Sequence, residues 1–317
     1  MQTTSHVLMV RPTQFTANPE TMASNAFQCP FAAGEDAQAR ALAEFEGYVA
    51  ALRGAGVSVL EVEDTPAPHT PDSIFPNNWV SFHADGTAIL YPMEAPNRRL
   101  ERRPELLSQV AGRFHLERTL DLSPMEAEGK YLEGTGSMVL DREHRLAYLC
   151  RSSRSHPDAV RAFCDLMGYR AVWFDATDAA GTPIYHTNVM MALGRELAVI
   201  CLEAIADPRH RATLLDHFQD TGKTVLTISR AQMAAFAGNM IELRGWQGGP
   251  VFAMSRRAWL ALGQPQRELI LEHARPVVAP IDTIERCGGG GTRCMVAEIH
   301  LTPKAGVGAE AGDELAG

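Results

Sequence analysis

Short apolar runs alternate along this chain with longer stretches whose apolar residues recur every three or four positions. These are the two periods of buried strands and one-sided helices. Residues 7–10 read as a strand, and residues 35–52 as a helix with Ala41, Leu42, Phe45, Val49 and Leu52 on one face. Gly54 and Gly56 end that helix, and a strand follows at 57–62. The order then repeats. Paired strands at 79–82 and 88–91 flank the turn Asp85-Gly86 and lead to a helix at 103–111. Paired strands at 137–140 and 147–150 precede a helix over 157–167 and a strand at 171–174. Strands at 189–193 and 197–201 precede a helix over 209–219 and a strand at 225–228. Strands at 241–243 and 251–254, a helix over 264–272, a strand at 277–279 and a last strand at 295–301 complete the pattern. Strands alternating with helices predict an α/β fold. About five strand–strand–helix–strand units predict a pseudo-repeated, closed assembly rather than a doubly wound sheet.

No linker-like stretch divides the chain before Lys304, so residues 1–303 are expected to form a single domain. Residues 304–317 turn to Gly, Ala and acidic residues, too little to bury, and are expected to be a flexible tail. Of the 317 residues 45% are hydrophobic, enough for a sizeable core. Lys plus Arg total 29 against 38 Asp plus Glu, a formal charge of −9. With no long basic stripe, nucleic acid is not the expected partner. No apolar run approaches the ~20 residues that cross a bilayer, and residues 1–11 lack the regions of a signal peptide. Six cysteines in a chain this long do not suggest a disulfide scaffold. The reading is a cytoplasmic protein without a membrane partner, with a homo-oligomer left open.

Four segments carry candidate chemistry, each at the mouth of an expected strand. Residues 287–296 hold four consecutive glycines and then Cys294, where a turn that tolerates unusual backbone angles enters an apolar strand. The bland alternative is a glycine turn with a buried cysteine. A phosphate loop is disfavoured, since no Gly-Lys-Ser/Thr ending follows, and zinc because Cys287 and Cys294 lack paired spacing. Residues 184–191 place His186 similarly; a lone His is often structural, yet its pKa suits proton transfer. Residues 130–137 place Glu133 beside glycines, and residues 71–79 gather Asp72, Phe75, Asn77, Asn78 and Trp79. Solvated turns explain each of these alone. Together they converge if the units close about an axis, and a Cys, a His and a Glu in one place suit covalent catalysis with proton shuttling.

The segments PDSIFPNNW, EGTGSMV, CRSSRS, YHTNVM and GGGGTRCM stand in this order along the chain. In them the sequence resembles the guanidino-group-modifying superfamily of arginine deiminases, dimethylarginine hydrolases and amidinotransferases, and most of all its citrulline-utilisation hydrolases. The resemblance spans residues 7–301. It implies a five-bladed α/β propeller, the pentein fold, with a central site, a small-molecule substrate, and neither metal nor organic cofactor. It also implies that Cys294 is the nucleophile, His186 the acid/base and Glu133 a substrate-orienting carboxylate. Asp72 matches an acid that contacts the reacting nitrogens, Arg154 an arginine that clamps the substrate α-carboxylate, and Arg98 a second, weaker clamp. Phe75, Asn77, Asn78, Asn188, Gly291 and Thr292, in the same segments, complete the expected substrate-binding set.

Arginine deiminases carry aspartate where this chain has Asn78 and Asn188. A guanidinium only donates hydrogen bonds and suits carboxylates. A ureido group is neutral and carries a carbonyl acceptor, so carboxylates facing that oxygen would be buried without a partner. Asn can answer either end. This favours citrulline as substrate, with Cys294 attacking the ureido carbon and ornithine, ammonia and carbon dioxide as products. The alternatives are an arginine deiminase or dimethylarginine hydrolase of the same chemistry, an amidinotransferase, and a non-enzymatic propeller that binds a macromolecule.

Overall fold

The computed structural model describes residues 1–22, 25, 27–29 and 36–306. The apolar runs fold into β1 (His6–Arg11), β2 (Ser58–Glu63), β3 (Val80–Phe82), β4 (Thr87–Leu90) and β5 (Arg118–Asp121). There follow β6 (Val139–Asp141), β7 (Leu146–Cys150), β8 (Arg170–Phe174), β9 (Met191–Leu193) and β10 (Leu197–Ile200). The last five are β11 (Thr224–Thr227), β12 (Ile241–Arg244), β13 (Pro250–Ser255), β14 (Arg275–Ala279) and β15 (Ala297–Glu298). They form five three-stranded sheets, β3-β4-β5, β6-β7-β8, β9-β10-β11, β12-β13-β14 and β15-β1-β2. In each, the middle strand pairs antiparallel with one neighbour and parallel with the other. A parallel neighbour requires a crossover, and helices such as Ala37–Gly54, Pro104–Arg113, Pro157–Met167 and Pro208–Asp220 supply it. The fifth sheet is built from both ends of the chain: β15 closes the ring on β1 through Val7 opposite Glu298 and Leu8 opposite Ala297.

The first helix spans Ala37–Gly54 and is capped by Asp36, whose side chain accepts from the Ala39 N–H. Residue 35, expected to start it, lies outside the described residues. Its buried face is Ala41, Phe45, Tyr48, Val49 and Leu52; Leu42 is only half-buried and Tyr48 takes its place.

β5 escapes the apolar pattern because its side chains are mostly exposed on a sheet edge. The segment expected as a strand over 295–301 pairs only at Ala297–Glu298. Single helical turns over Pro76–Asn78, Gly134–Ser137 and Thr187–Val189 lead into β3, β6 and β9, and the last two of them take Ser137 and Val189 from the expected strands. Lys304 is tied down by its backbone N–H to the Arg113 carbonyl and its ammonium to the Ala111 carbonyl. Residues 307–317 of the expected tail lie outside the described residues. Among the described residues no helix is long and apolar enough to cross a membrane.

Candidate active site

Each sheet is entered through one tight turn, and these five turns meet at the centre of the ring. The residue closing the turn is Asn78, Ser137, Asn188, Asn239 or Cys294, followed by Trp79, Met138, Val189, Met240 or Met295. In three of the five an aromatic opens it three residues earlier: Phe75, Tyr185 and Phe236. The turns are stitched to one another. Thr135 Oγ1 donates to the Asn77 carbonyl, Thr187 Oγ1 to that of Ser137, Asn239 Nδ2 to that of Asn188, and Thr292 Oγ1 to that of Asn239.

A narrow cavity opens over this ring. Asp72, Phe75, Asn78, Arg98, Arg154, His186 and Cys294 line it, together with Thr21, Asn25, Tyr185 and Gly288, Gly289 and Gly290. Most of the expected residues therefore converge there. Glu133 stands behind His186, its Oε2 2.8 Å from Nε2, and Asn188 donates to the Cys294 sulfur at 3.4 Å. Neither of these two lines the cavity itself, and three more of the expected residues do not. Asn77 is fully buried beside it. Gly291 and Thr292 lie behind Cys294, where the Gly291 carbonyl accepts the Cys294 N–H and Thr292 binds the Asn239 carbonyl. The glycines that meet the cavity are the three before them, packed against the Phe75 ring at Gly288 and Gly290. Among the described residues no group of His, Cys, Asp or Glu is arranged to hold a metal.

Charge is balanced by close pairing. Arg154 donates from Nη1 to Glu133 at 3.2 Å and from Nε to Glu94 at 3.1 Å, and its guanidinium lies 5.0 Å from the Tyr185 ring centroid. Arg98 makes a two-pronged contact with buried Glu101 at 2.9 and 3.0 Å and donates to Asn78 Oδ1 at 2.8 Å and to the Phe75 carbonyl at 3.3 Å. These bonds occupy the Arg98 fork, so it braces Asn78 instead of offering a free clamp. Burial pushes Glu101 up to about 7 against the pull of Arg98. It also raises Asp72, which Arg98, Asn18, Arg154 and Thr21 partly offset. Asp72 Oδ2 accepts from Asn18 at 2.8 Å and Thr21 at 3.3 Å, while Oδ1 is buried without a partner.

Burial alone would raise Glu133, but Arg154, the His186 hydrogen bond and Arg98 outweigh it and keep the carboxyl ionised. Burial, with Arg154 and Arg98, outweighs Glu133 at the imidazole and lowers His186 to about 4. Neutral His186 donates from Nε2 to Glu133, which leaves Nδ1 as the basic nitrogen. Burial raises the Cys294 thiol, against hydrogen bonds from Asn239 and Asn188 and the pull of Arg293. Sulfur and imidazole are therefore both neutral at rest. Because the basic form of His186 persists down to about 4, the acid limb of kcat/KM is expected near there instead of in the ordinary histidine range. An imidazole NMR titration of His186 and the rate profile should agree; a limb between pH 6 and 7 would refute this assignment.

The main residue that sequence reading missed is Asn239, whose Nδ2 lies 3.2 Å from the Cys294 sulfur. The shared aromatic-x-x-Asn spacing of residues 75–78, 185–188 and 236–239 was the available signal.

A five-unit α/β propeller whose axis gathers a thiol, an imidazole–carboxylate pair and buried arginines defines the class of guanidino-group-modifying enzymes, the pentein fold. Within that class the chain belongs to the family described as N,N dimethylarginine dimethylhydrolase, eukaryotic, whose model matches residues 11–301. It is thus a hydrolase of C–N bonds in guanidino compounds. Among solved structures it is similar to the substrate-bound N-terminal domain of ArgZ, an arginine dihydrolase from the ornithine-ammonia cycle in cyanobacteria. That match has 16% identity and a TM-score of 0.72 and covers 93% of this chain and 99% of that one. A variant of AgrE in complex with L-arginine matches at 16% identity and a TM-score of 0.70, covering 95% of this chain and 41% of that one. DDAH from Pseudomonas aeruginosa, a cysteine-to-serine variant complexed with citrulline, matches at 17% and 0.65, covering 94% and 100%. At such identities the likeness establishes the fold. No curated protein matches the chain at significant similarity.

Proposed function

We propose that this enzyme hydrolyses the ureido group of citrulline to ornithine, ammonia and carbon dioxide. One observation carries the reading. The Asn78 carboxamide cannot turn round, because its Oδ1 accepts from Arg98, which has only donors. Its Nδ2 is therefore fixed as a donor, buried and without a partner, close to His186 across Gly136. A guanidinium offers such a donor nothing, whereas a ureido carbonyl offers an acceptor. An orphaned buried donor costs about 1–3 kcal/mol, which a ureido oxygen would relieve.

In this mechanism the Cys294 sulfur attacks the ureido carbon while its proton passes to His186 Nδ1 and the carbonyl electrons move onto the oxygen. The tetrahedral centre collapses as His186 returns the proton to the departing nitrogen. Water, activated by His186, then cleaves the S–C bond, returning the thiol and releasing a carbamate, which breaks its remaining C–N bond to give carbon dioxide and the second amine. Asp72 Oδ1 and Asn188 Oδ1, both unpartnered, accept ureido N–H groups, and Arg154 exchanges part-exposed Glu94 for the substrate carboxylate. Chemistry at a thiol needs neither metal nor organic cofactor. Cys150, Cys164, Cys201 and Cys294 stand as thiols, which supports a reducing, cytoplasmic setting, and residues 1–303 would act as one domain.

A second reading rests on Asp72, whose free buried oxygen suits a guanidinium. Arginine would then be the first substrate and citrulline an intermediate; the similar ArgZ is an arginine dihydrolase. Supplying citrulline, arginine and dimethylarginine separately, and quantifying ornithine, citrulline and ammonia, tests both. Ornithine from citrulline supports the proposal; arginine converted only to citrulline overturns it. Asn78→Asp should lower kcat/KM on citrulline about 100-fold, the loss of one buried hydrogen bond to the reacting group, while arginine loses under about tenfold. Equal losses on the two substrates would count against the argument from Asn78.

A further inference from the structure

We propose that Asn239 is a further catalytic residue, whose carboxamide N–H holds the Cys294 sulfur in place and stabilises the negative charge that gathers there. This rests on Cys294 being the nucleophile. Asn239 is buried, and its side chain has a single orientation. Oδ1 accepts the Arg293 backbone N–H at 3.1 Å, so Nδ2 is the end that faces the sulfur. One hydrogen of Nδ2 reaches the Asn188 carbonyl at 3.0 Å and the other the sulfur at 3.2 Å. Asn188 Nδ2 adds a weaker contact at 3.4 Å. Among the described residues these two carboxamides are the only side chains that hydrogen-bond the sulfur.

That arrangement answers a need of the reaction. His186 is paired with Glu133 and neutral at rest, so no imidazolium stands ready to balance a thiolate. As the S–C bond forms, the thiol proton goes to His186 Nδ1 and electron density leaves sulfur for carbon. When water breaks that bond, the electron pair returns to sulfur. Charge therefore appears on the sulfur on entering and on leaving the covalent state, and pre-aimed N–H donors in a dry site stabilise it without reorganising. The ring geometry explains why carboxamides supply them: Cys294 occupies in its turn the place that Asn188 and Asn239 hold in theirs, so the three side chains meet at the axis.

The test is Asn239→Asp, which keeps the acceptor for Arg293 and removes the N–H from the sulfur, with Asn239→Ser as a second variant should the first not fold. Alkylation of Cys294 by iodoacetamide across pH, followed on its own peptide by mass spectrometry, should shift its midpoint upward by about one pH unit or more. With citrulline and arginine as substrates, kcat on the one turned over should fall about 100-fold with KM changed less than about twofold. An unmoved alkylation midpoint, with activity lost only in step with thermal stability, would reduce Asn239 to a structural tie and overturn the proposal. Turnover surviving in Cys294→Ser would instead overturn the nucleophile on which it depends.

Discussion

Cys294→Ser is expected to lower turnover by about 10⁴-fold or more while leaving the propeller folded. Such a loss is typical when a nucleophile acting in concert with its base is removed. The exchange is nearly isosteric, and the sulfur's contacts are two carboxamide donors that a hydroxyl can equally accept from. Ser Oγ is far harder to deprotonate than a thiol, and neutral His186 without a cation at the oxygen is too weak a base for it. Circular dichroism and thermal unfolding should match the wild type, and mass spectrometry should show no covalent adduct where the wild type forms one. Near wild-type rates on citrulline, arginine and methylated arginines together would remove Cys294 from the chemistry.

Gly136→Ala is expected to lower kcat/KM by about 10²- to 10³-fold, out of proportion to any loss of stability. A methyl group there would collide with Asn78 Nδ2 and stand 2.8 Å from His186 Nδ1. Neither neighbour can retreat easily. Arg98 grips Asn78 at 2.8 Å, and Glu133 grips His186 at 2.8 Å. Overpacking costs about 1–3 kcal/mol, and a displacement of about 1 Å in a catalytic group costs about 100-fold in rate. Gly112→Ala is the control. It lies inside the helix Pro104–Arg113 with nothing within 4 Å of the new methyl, so activity should hold and stability rise by about 0.5–1 kcal/mol. Wild-type kinetics in Gly136→Ala would mean that the ring of turns is not as tight as described.

The five-unit architecture was legible because the inner strands are continuous apolar runs. Fourteen of the fifteen strand positions announce themselves that way, whereas β5, with residues such as Arg118 and Asp121 facing water, carries no apolar signal. The expected strands start one or two residues before β3, β6 and β9 because buried apolar residues such as Trp79, Met138 and Val189 lie at the junction, and burial alone does not distinguish a turn from an extended entry. At the site, the sulfur, imidazole and carboxylate could be picked out because their residue types are chemically conspicuous. Asn239 was not, since an asparagine beside glycine reads as an ordinary turn. Only its repetition at three strand mouths gives it away. The commitment of Arg98 to Glu101 and Asn78 was likewise invisible, because a sequence shows a cation and not which neighbours have already claimed it.

The ring is closed by β15 on β1, segments separated by nearly the whole length of the polypeptide, and Cys294 stands three residues before that last strand. The thiol therefore joins the site only when that closure is made, whereas the imidazole and its carboxylate belong to units that lie earlier in the sequence. On the proposed mechanism, a chain lacking that closing segment holds a base with no nucleophile beside it. Competence would then depend on sealing the circle through the longest-range strand pairing of the fold.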